Sequence, residues 1–260
     1  MEYHNYETNT EAKDLYFKAN IPKPITNKNQ EFSTLVKFSD VSVSYWDRKI
    51  LSAITWEIKQ GEFWQLKGEN GSGKSTLISL ITGDNHKAYG QNLVLFDRLR
   101  GTGETIWDIK NNIGYFTPSM IFNFKGHHTV LHMIISGIQD SIGLYTKPSE
   151  IEINKALEWL KLLGFEHLKN TYFKNLSKGN QRLIMLVRAF IKWPSLLILD
   201  EPTVDLDDNS VYKFAKLLNK FHAESNVSII YVSHRNEKNI VAQKTIHLIK
   251  TKNGSIHSFA

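Results

Sequence analysis

From about residue 35 onward, apolar and polar positions alternate in short runs. Val41, Val43 and Tyr45 share one side of an extended segment, with Ser42 and Ser44 on the other, the pattern of a half-buried strand. A second strand is expected over 53–58, ending at Gln60-Gly61, and a third over 62–66, which runs into a glycine-rich stretch. The period then becomes helical. Residues 75–82 read as an apolar helix closed by Gly83. Ser149 and Glu152 have the spacing of a capping box, and Ile153, Ala156, Leu157, Leu160 and Leu163 follow at helical intervals until Gly164. A further helix is expected over 181–192, stopped by Pro194. The run Leu196-Leu197-Ile198-Leu199 then leads straight into Asp200 and Glu201. Four apolar residues without alternation suit a strand covered on both faces, as in a parallel sheet. A helix over 209–222, a strand over 227–232 and a hairpin at Asn253-Gly254 complete the series. Strands that alternate with helices predict an α/β fold with an inserted helical subdomain.

Residues 1–35 differ. They are polar, carry Pro22 and Pro24, and offer only Leu15-Tyr16-Phe17 as an apolar patch, so they read as a tail or linker. At 260 residues and 41% hydrophobic, the chain can bury one large core or two modest ones. The absence of cysteine rules out a disulfide framework and thiolate metal sites. No apolar run approaches the ~20 residues of a membrane span, and the N-terminus lacks the basic and apolar regions of a signal peptide, which together predict a cytoplasmic protein. Thirty-two basic residues against 26 acidic give a net charge of +6. The lysines are scattered rather than clustered, which favours a solvated surface over a nucleic-acid footprint.

The glycine-rich stretch carries the chemistry. Gly68, Glu69, Asn70, Gly71, Ser72, Gly73, Lys74 and Ser75, with Thr76 following, fit G-x-x-x-x-G-K-[ST]. Glycines let successive backbone N–H groups turn inward into an anion nest, and the helix that follows adds the positive end of its dipole. Lys74 can then reach the β- and γ-phosphates of a nucleotide, and the Ser75 hydroxyl can ligate Mg²⁺. Such a loop needs a second magnesium anchor at the tip of a buried strand, a place Asp200 fills, while Glu201 is set to orient or deprotonate an attacking water. His234 ends the apolar strand Ile230-Tyr231-Val232. It is either a structural histidine or a sensor of the γ-phosphate, and its place after the strand favours the second.

Five motifs in this order resemble the ATP-binding-cassette (ABC) ATPases over residues 36–250. Besides the P-loop, the acid-tipped strand and His234, Asn175-Leu176-Ser177-Lys178-Gly179-Asn180-Gln181 resembles their LSGGQ signature. Thr203-Val204-Asp205-Leu206-Asp207 resembles their D-loop, and Tyr45 their adenine-stacking aromatic. The segments 83–85, 95–110 and 140–145 are similar to a subgroup of molybdenum-transport or photorepair cassettes that usually carry two ATPase halves, of which this chain resembles the C-terminal one. The resemblance implies a P-loop α/β fold with a mostly parallel core sheet, an N-terminal antiparallel β subdomain and a helical subdomain over about 115–192. Residues 1–35 would be an inter-half linker and 36–260 the ATPase domain. It further implies ATP and Mg²⁺ as cofactors and a head-to-tail dimer with a second half, in which Ser177 and Gly179 cap the partner's phosphates.

Two departures bear on function. Lys178 and Asn180 replace residues of the common signature. More consequential, Ile113-Gly114-Tyr115-Phe116-Thr117-Pro118-Ser119 resembles the entry to the Q-loop, yet no glutamine follows, and Ser119 lies nearest its expected place. In the family that glutamine helps to bind Mg²⁺ and water and links the ATPase to membrane subunits. Two cellular roles therefore stay open. One is a transport ATPase at the inner membrane face, driving a permease for an oxyanion such as molybdate. The other is an ATPase without membrane subunits acting in nucleic-acid or stress-related processes, or a nucleotide switch that hydrolyses weakly. His127, His128 and His132 offer an i,i+4 pair but no third ligand, so a helix-end surface is the better reading.

Overall fold

The computed structural model describes residues 17–26, 31–234 and 239–260. Two sheets organise it. Strands β1 (Val36–Tyr45), β2 (Arg48–Ile58), β4 (Leu93–Leu95) and β5 (Arg98–Leu99) form an antiparallel sheet in the order β2-β1-β4-β5. The second sheet runs β10-β9-β3-β8-β7-β6, built from β3 (Phe63–Gly68), β6 (Ile113–Phe116), β7 (Leu196–Asp200), β8 (Ser228–Val232), β9 (Lys244–Ile249) and β10 (Ile256–Phe259). All its pairings are parallel except β10 with β9 at one edge. This is the mostly parallel core and the antiparallel β unit that the strand pattern and the resemblance imply.

The central strands are covered on both faces, and their sequences show why. On β7, Leu197 and Leu199 belong to one apolar cluster, while Leu196 and Ile198 belong to the other. Helix α1 (Lys74–Ile81) supplies Leu77, Ile78, Leu80 and Ile81 to the second cluster, on the side shared with the antiparallel sheet. The opposite face is covered by α6 (Lys178–Phe190) and α7 (Asp208–Glu224). The short helix α2 (Ile106–Lys110) comes just before β6, and between β6 and β7 come α3 (Pro118–Asn123), α4 (Val130–Ile135) and the longer α5 (Glu150–Leu163), followed by α6. Residues 115 and 116, placed from sequence at the start of the helical insertion, are the last two of β6. Helix α5 begins at the expected capping box of Ser149 with Glu152 and ends at Gly164 in the left-handed region. Helix α6 starts three residues before the periodicity alone suggests. Ser177 caps it by accepting from the Asn180 N–H at 3.3 Å, so Lys178, Gly179 and Asn180 form its first turn.

Part of the N-terminal segment packs on the domain. Phe17 and Ile21 are buried within the first cluster, and the Ile21 N–H donates to the Glu224 carboxylate at 2.8 Å. Leu15 and Tyr16, the rest of the apolar patch seen in the sequence, lie outside the described residues. The heart of the first cluster is aromatic: Phe190 stacks on Phe221 with ring centroids 4.2 Å apart, and Trp159 meets Phe221 edge-on at 5.4 Å. These rings join α5, α6 and α7. Replacing Phe221 by alanine is expected to cost ~3–5 kcal/mol, measured as a lower urea midpoint with little change in slope.

Candidate nucleotide site

Parallel strands bring their carboxyl ends to one edge, and the functional side chains gather there. The register pairs Leu66 with Val232, and Val232 with Asp200. Gly68, His234 and Glu201 therefore leave the sheet side by side. At this edge lies a cavity of about 600 Å³, lined by Arg48, Ile50, Asn70, Gly71, Gly73, Lys74, Ser75, Thr76, Thr117, Pro118, Asp200, Glu201, Val204 and His234.

Local conformation explains how each group arrives. Gly73 sits at φ +91°, and a Cβ there would lie 2.8 Å from Leu51 Cδ2, so only glycine lets the loop turn into α1 beneath β2. Lys74 curls back over the loop, its ammonium donating to the carbonyls of Gly68 at 2.7 Å and Glu69 at 3.2 Å. Alternation along β7 would send the adjacent acids to opposite faces. Glu201 escapes this because its backbone enters the left-handed region at φ +51° while its N–H still donates to Val232 at 3.0 Å. The carboxylate then swings to meet His234, whose Nδ1 is 2.9 and 3.0 Å from its two oxygens. A left-handed residue that is not glycine costs on the order of 1–3 kcal/mol, the kind of strain that collects at working sites.

Electrostatics single out Asp200. Burial, and then the negative charge of Glu201, raise its carboxyl above the usual range, only partly offset by Lys74. The Tyr115 phenol is pushed up to about 12 by burial and by the charges of Asp200 and Asp84. Two carboxylates facing one lysine leave room for a cation. The neighbouring donors are all oxygens, the Ser75 hydroxyl and the Asp200 and Glu201 carboxylates, which is a set that suits Mg²⁺.

Several sequence-predicted residues do not line the cavity. Ser72 is buried within the loop, and its hydroxyl finds no hydrogen-bond partner among the described residues. The carbonyls of Gly68 and Glu69 face Lys74 instead. Tyr45 packs against the second cluster and accepts a hydrogen bond from Asn85 Nδ2 at 2.7 Å, whereas its neighbour Trp46 is 98% exposed. Tyr45, read from its resemblance as an adenine-stacking ring or equally as a residue at the core edge, is half-buried there and lies outside the cavity lining. Ser119, nearest to where a Q-loop glutamine would stand, is likewise off the wall, and Thr117 and Pro118 take its place. Pro118 opens α3 there, so the chain turns away before Ser119 is reached. Ser177 and Gly179 lie at the N-terminus of α6, outside the cavity, with Lys178 exposed. Gly179 is packed so closely on α7 that a Cβ would come within 2.3 Å of Ser210 Oγ. His128 packs edge-on against His132 and Tyr145, which makes an aromatic cluster of the histidines.

Sequence reading missed two further groups. Arg48 and Ile50 enter the cavity from the turn and strand after Tyr45, a position visible only once β2 is seen to lie over the loop. Arg182, buried on α6, donates to the Val204 carbonyl at 3.5 Å and lies over the Phe116 ring. Burial lowers its pKa, and Asp205 opposes that shift.

A phosphate-cradling loop, a buried acid and a glutamate–histidine pair at the carboxyl edge of a parallel sheet define a P-loop nucleotide hydrolase. Comparison with known proteins places it further. The ABC transporter family matches residues 51–204, and the chain belongs to that family, with the fold and class of its ATP-hydrolysing cassettes. It is 43% identical over 196 residues to the ABC transporter ATP-binding protein ModF of Escherichia coli, covering 75% of this chain and 40% of ModF. It is 32% identical to the zinc uptake system ATP-binding protein ZurA of Listeria innocua, covering 77% of this chain and 76% of that one. Of a Schizosaccharomyces pombe ABC transporter ATP-binding protein, 31% identical, it spans 48%. The chain thus spans less than half the length of ModF and of the yeast protein. Among solved structures it resembles cbiO1 of Clostridium perfringens, part of the cbiONQ ABC transporter complex, with a TM-score of 0.71 and 25% identity over 86% of this chain and 87% of that one.

Asp200 gives a test of the site's cost. Its folded pKa is raised above the unfolded 3.8, so the native state loses stability as pH rises through the folded value. Asp200→Asn is expected to raise the Tm of the nucleotide-free chain, by more at pH 8 than at pH 4. Differential scanning calorimetry across that range checks it, and an equal shift at both ends would contradict this origin.

Proposed function

We propose that the chain is one half of an ABC ATPase that clamps Mg-ATP between two such halves and hydrolyses it. The convergence of Lys74, Ser75, Asp200, Glu201 and His234 on one cavity carries this reading. Lys74, now bonded to loop carbonyls, turns to the β- and γ-phosphate oxygens, and the backbone N–H groups of 70–76 complete the cradle. Ser75 and Asp200 would hold Mg²⁺, which would supply the neutralisation of charge on the phosphates. Relief of the strained Asp200 ionisation makes its carboxylate a ready ligand. Glu201 orients and deprotonates the water that attacks in line with the leaving group. His234 donates Nδ1–H to Glu201 and keeps Nε2 for the terminal phosphate, so it links base and substrate.

The position of Ser177 and Gly179 outside the cavity supports a two-half site. A second half, in tandem or as another copy, brings its own pair to these phosphates, and bound ATP joins the two surfaces. The similarity to ModF, an ABC transporter ATP-binding protein, supports a transporter role at the inner membrane face, and an oxyanion such as molybdate as cargo rests on the subgroup resemblance of the sequence. Similarity to a zinc uptake protein keeps the cargo class wider than one anion. No helix among the described residues is long and apolar enough to cross a membrane. A second reading, an ATPase without a permease that acts on nucleic acid, is favoured by the absence of a glutamine on the cavity wall. Salt-dependent binding of DNA or RNA would select it.

Glu201→Gln should bind ATP but fail to cleave it, which accumulates a dimer at saturating Mg-ATP. Lys74→Ala should lose most nucleotide affinity. Size-exclusion chromatography with light scattering reads the first and nucleotide titration the second. A Glu201→Gln chain that stays monomeric would overturn the clamp.

A further inference from the structure

The last strand pair of the chain reaches back to the P-loop. In the parallel register of β3 with β9, Gly68 pairs with Leu248, and a Cβ on Gly68 would lie 2.8 Å from the Leu248 carbonyl oxygen. Two residues beyond that pair, on each segment, stand Asn70 and Lys250. The Lys250 ammonium donates to the Asn70 carbonyl at 2.8 Å. Its backbone is anchored from two sides. Lys250 directly follows β9 of the core sheet, and the next turn is closed by the Thr251 hydroxyl on the Gly254 carbonyl. That turn is in turn tied to β2, where the Ser255 N–H donates to the Ile50 carbonyl at 2.8 Å.

A carbonyl and the N–H that follows it point in opposite directions across a trans peptide. Asn70 and Gly71 line the cavity, whereas Lys250 does not. The Asn70 carbonyl therefore turns to the rear of the loop, and the Gly71 N–H turns to the cavity. Gly71 sits at φ +74°, and a Cβ there would lie 3.3 Å from the Lys250 ammonium, so the lysine fills the space behind it. We propose that Lys250 is a positioning residue for nucleotide phosphates, which holds the Asn70 carbonyl and so aims the Gly71 N–H at them. This rests on the reading of the cavity as a Mg-ATP site. A cradle of inward N–H groups needs its carbonyls satisfied elsewhere. Lys74 serves Gly68 and Glu69 in this way only until a triphosphate takes its ammonium. The Lys250 bond lies behind the loop and stays in place when nucleotide enters.

The test titrates the full chain with a fluorescent analogue of Mg-ADP and records the Tm of the nucleotide-free protein alongside. Lys250→Ala should raise the dissociation constant about three- to tenfold, the scale of one charge-assisted hydrogen bond in contact with solvent. Lys250→Arg keeps a cationic donor and should stay close to the parent. The loss in Lys250→Ala should persist at ~0.5 M salt, because salt screens general attraction between exposed charges far more than a short hydrogen bond. The nucleotide-free Tm should stay near the parent's. A loss that vanishes at high salt, a Tm that falls in step with it, or a Lys250→Ala chain with the parent's affinity would each overturn the role of Lys250 alone, provided that Lys74→Ala still abolishes binding. Undiminished binding by Lys74→Ala would overturn the Mg-ATP reading of the cavity and the role of Lys250 with it.

Discussion

The site depends on β7 being buried on both faces between β6 and β8. A strand in that position has no solvent along its length, so its only polar outlet is the carboxyl end. The sequence uses it by placing four aliphatic residues and then two acids. Asp200 stays in register with the sheet and is held where water is scarce, which raises its carboxyl. Glu201 turns out of the register into a left-handed backbone and meets His234. Packing on either side of β7 fixes the first acid, and a local backbone distortion fixes the second. The two acids therefore differ in environment as well as position, the circumstance that lets neighbouring carboxylates take different tasks.

The same constraint joins the cavity to distant helices. Helix α6 packs across β6 and against α7, with Gly179 in contact with Ser210 at the start of α7. Arg182 of α6 reaches the Val204 carbonyl, and Val204 lies on the cavity wall three residues before Asp207, the α7 cap. Under the proposed function a change at the terminal phosphate would reach Glu201 and Val204, from which Arg182 leads to the N-terminal part of α6. That N-terminus is the surface that would face a partner's nucleotide, so one nucleotide's chemistry and the grip on the other share a mechanical element.

Much of this was legible in the sequence because its strongest signals are local. A glycine pattern between a strand and a helix, an apolar run ending in acids, and a histidine after a strand each state their own backbone geometry. What stayed hidden depended on contacts across the chain. Tyr45 shares the alternation of Val41 and Val43, but only the fold shows that Asn85, forty residues later, holds its hydroxyl while Trp46 takes the solvent. Ser119 lies nearest the place of a glutamine by count, yet the strand end and the turn at Pro118 decide which side chain reaches the cavity. Phe17 and Ile21 sit in a segment whose composition reads as a tail. Two apolar side chains in a polar stretch carry too little periodicity to announce that they complete a core.

The contacts inside the site bear on how a triphosphate would be taken up. Lys74 satisfies its charge on loop carbonyls, His234 meets Glu201 through Nδ1, and Asp200 sits partly desolvated beside a second acid. Each group is held by a neighbour within the site, so a triphosphate must exchange these contacts for its own. Part of the intrinsic affinity is spent on that exchange, and what remains must come from surfaces the chain does not supply alone. Ser177 and Gly179 stand outside the cavity, so under the proposed two-half site a single half would bind less firmly than two.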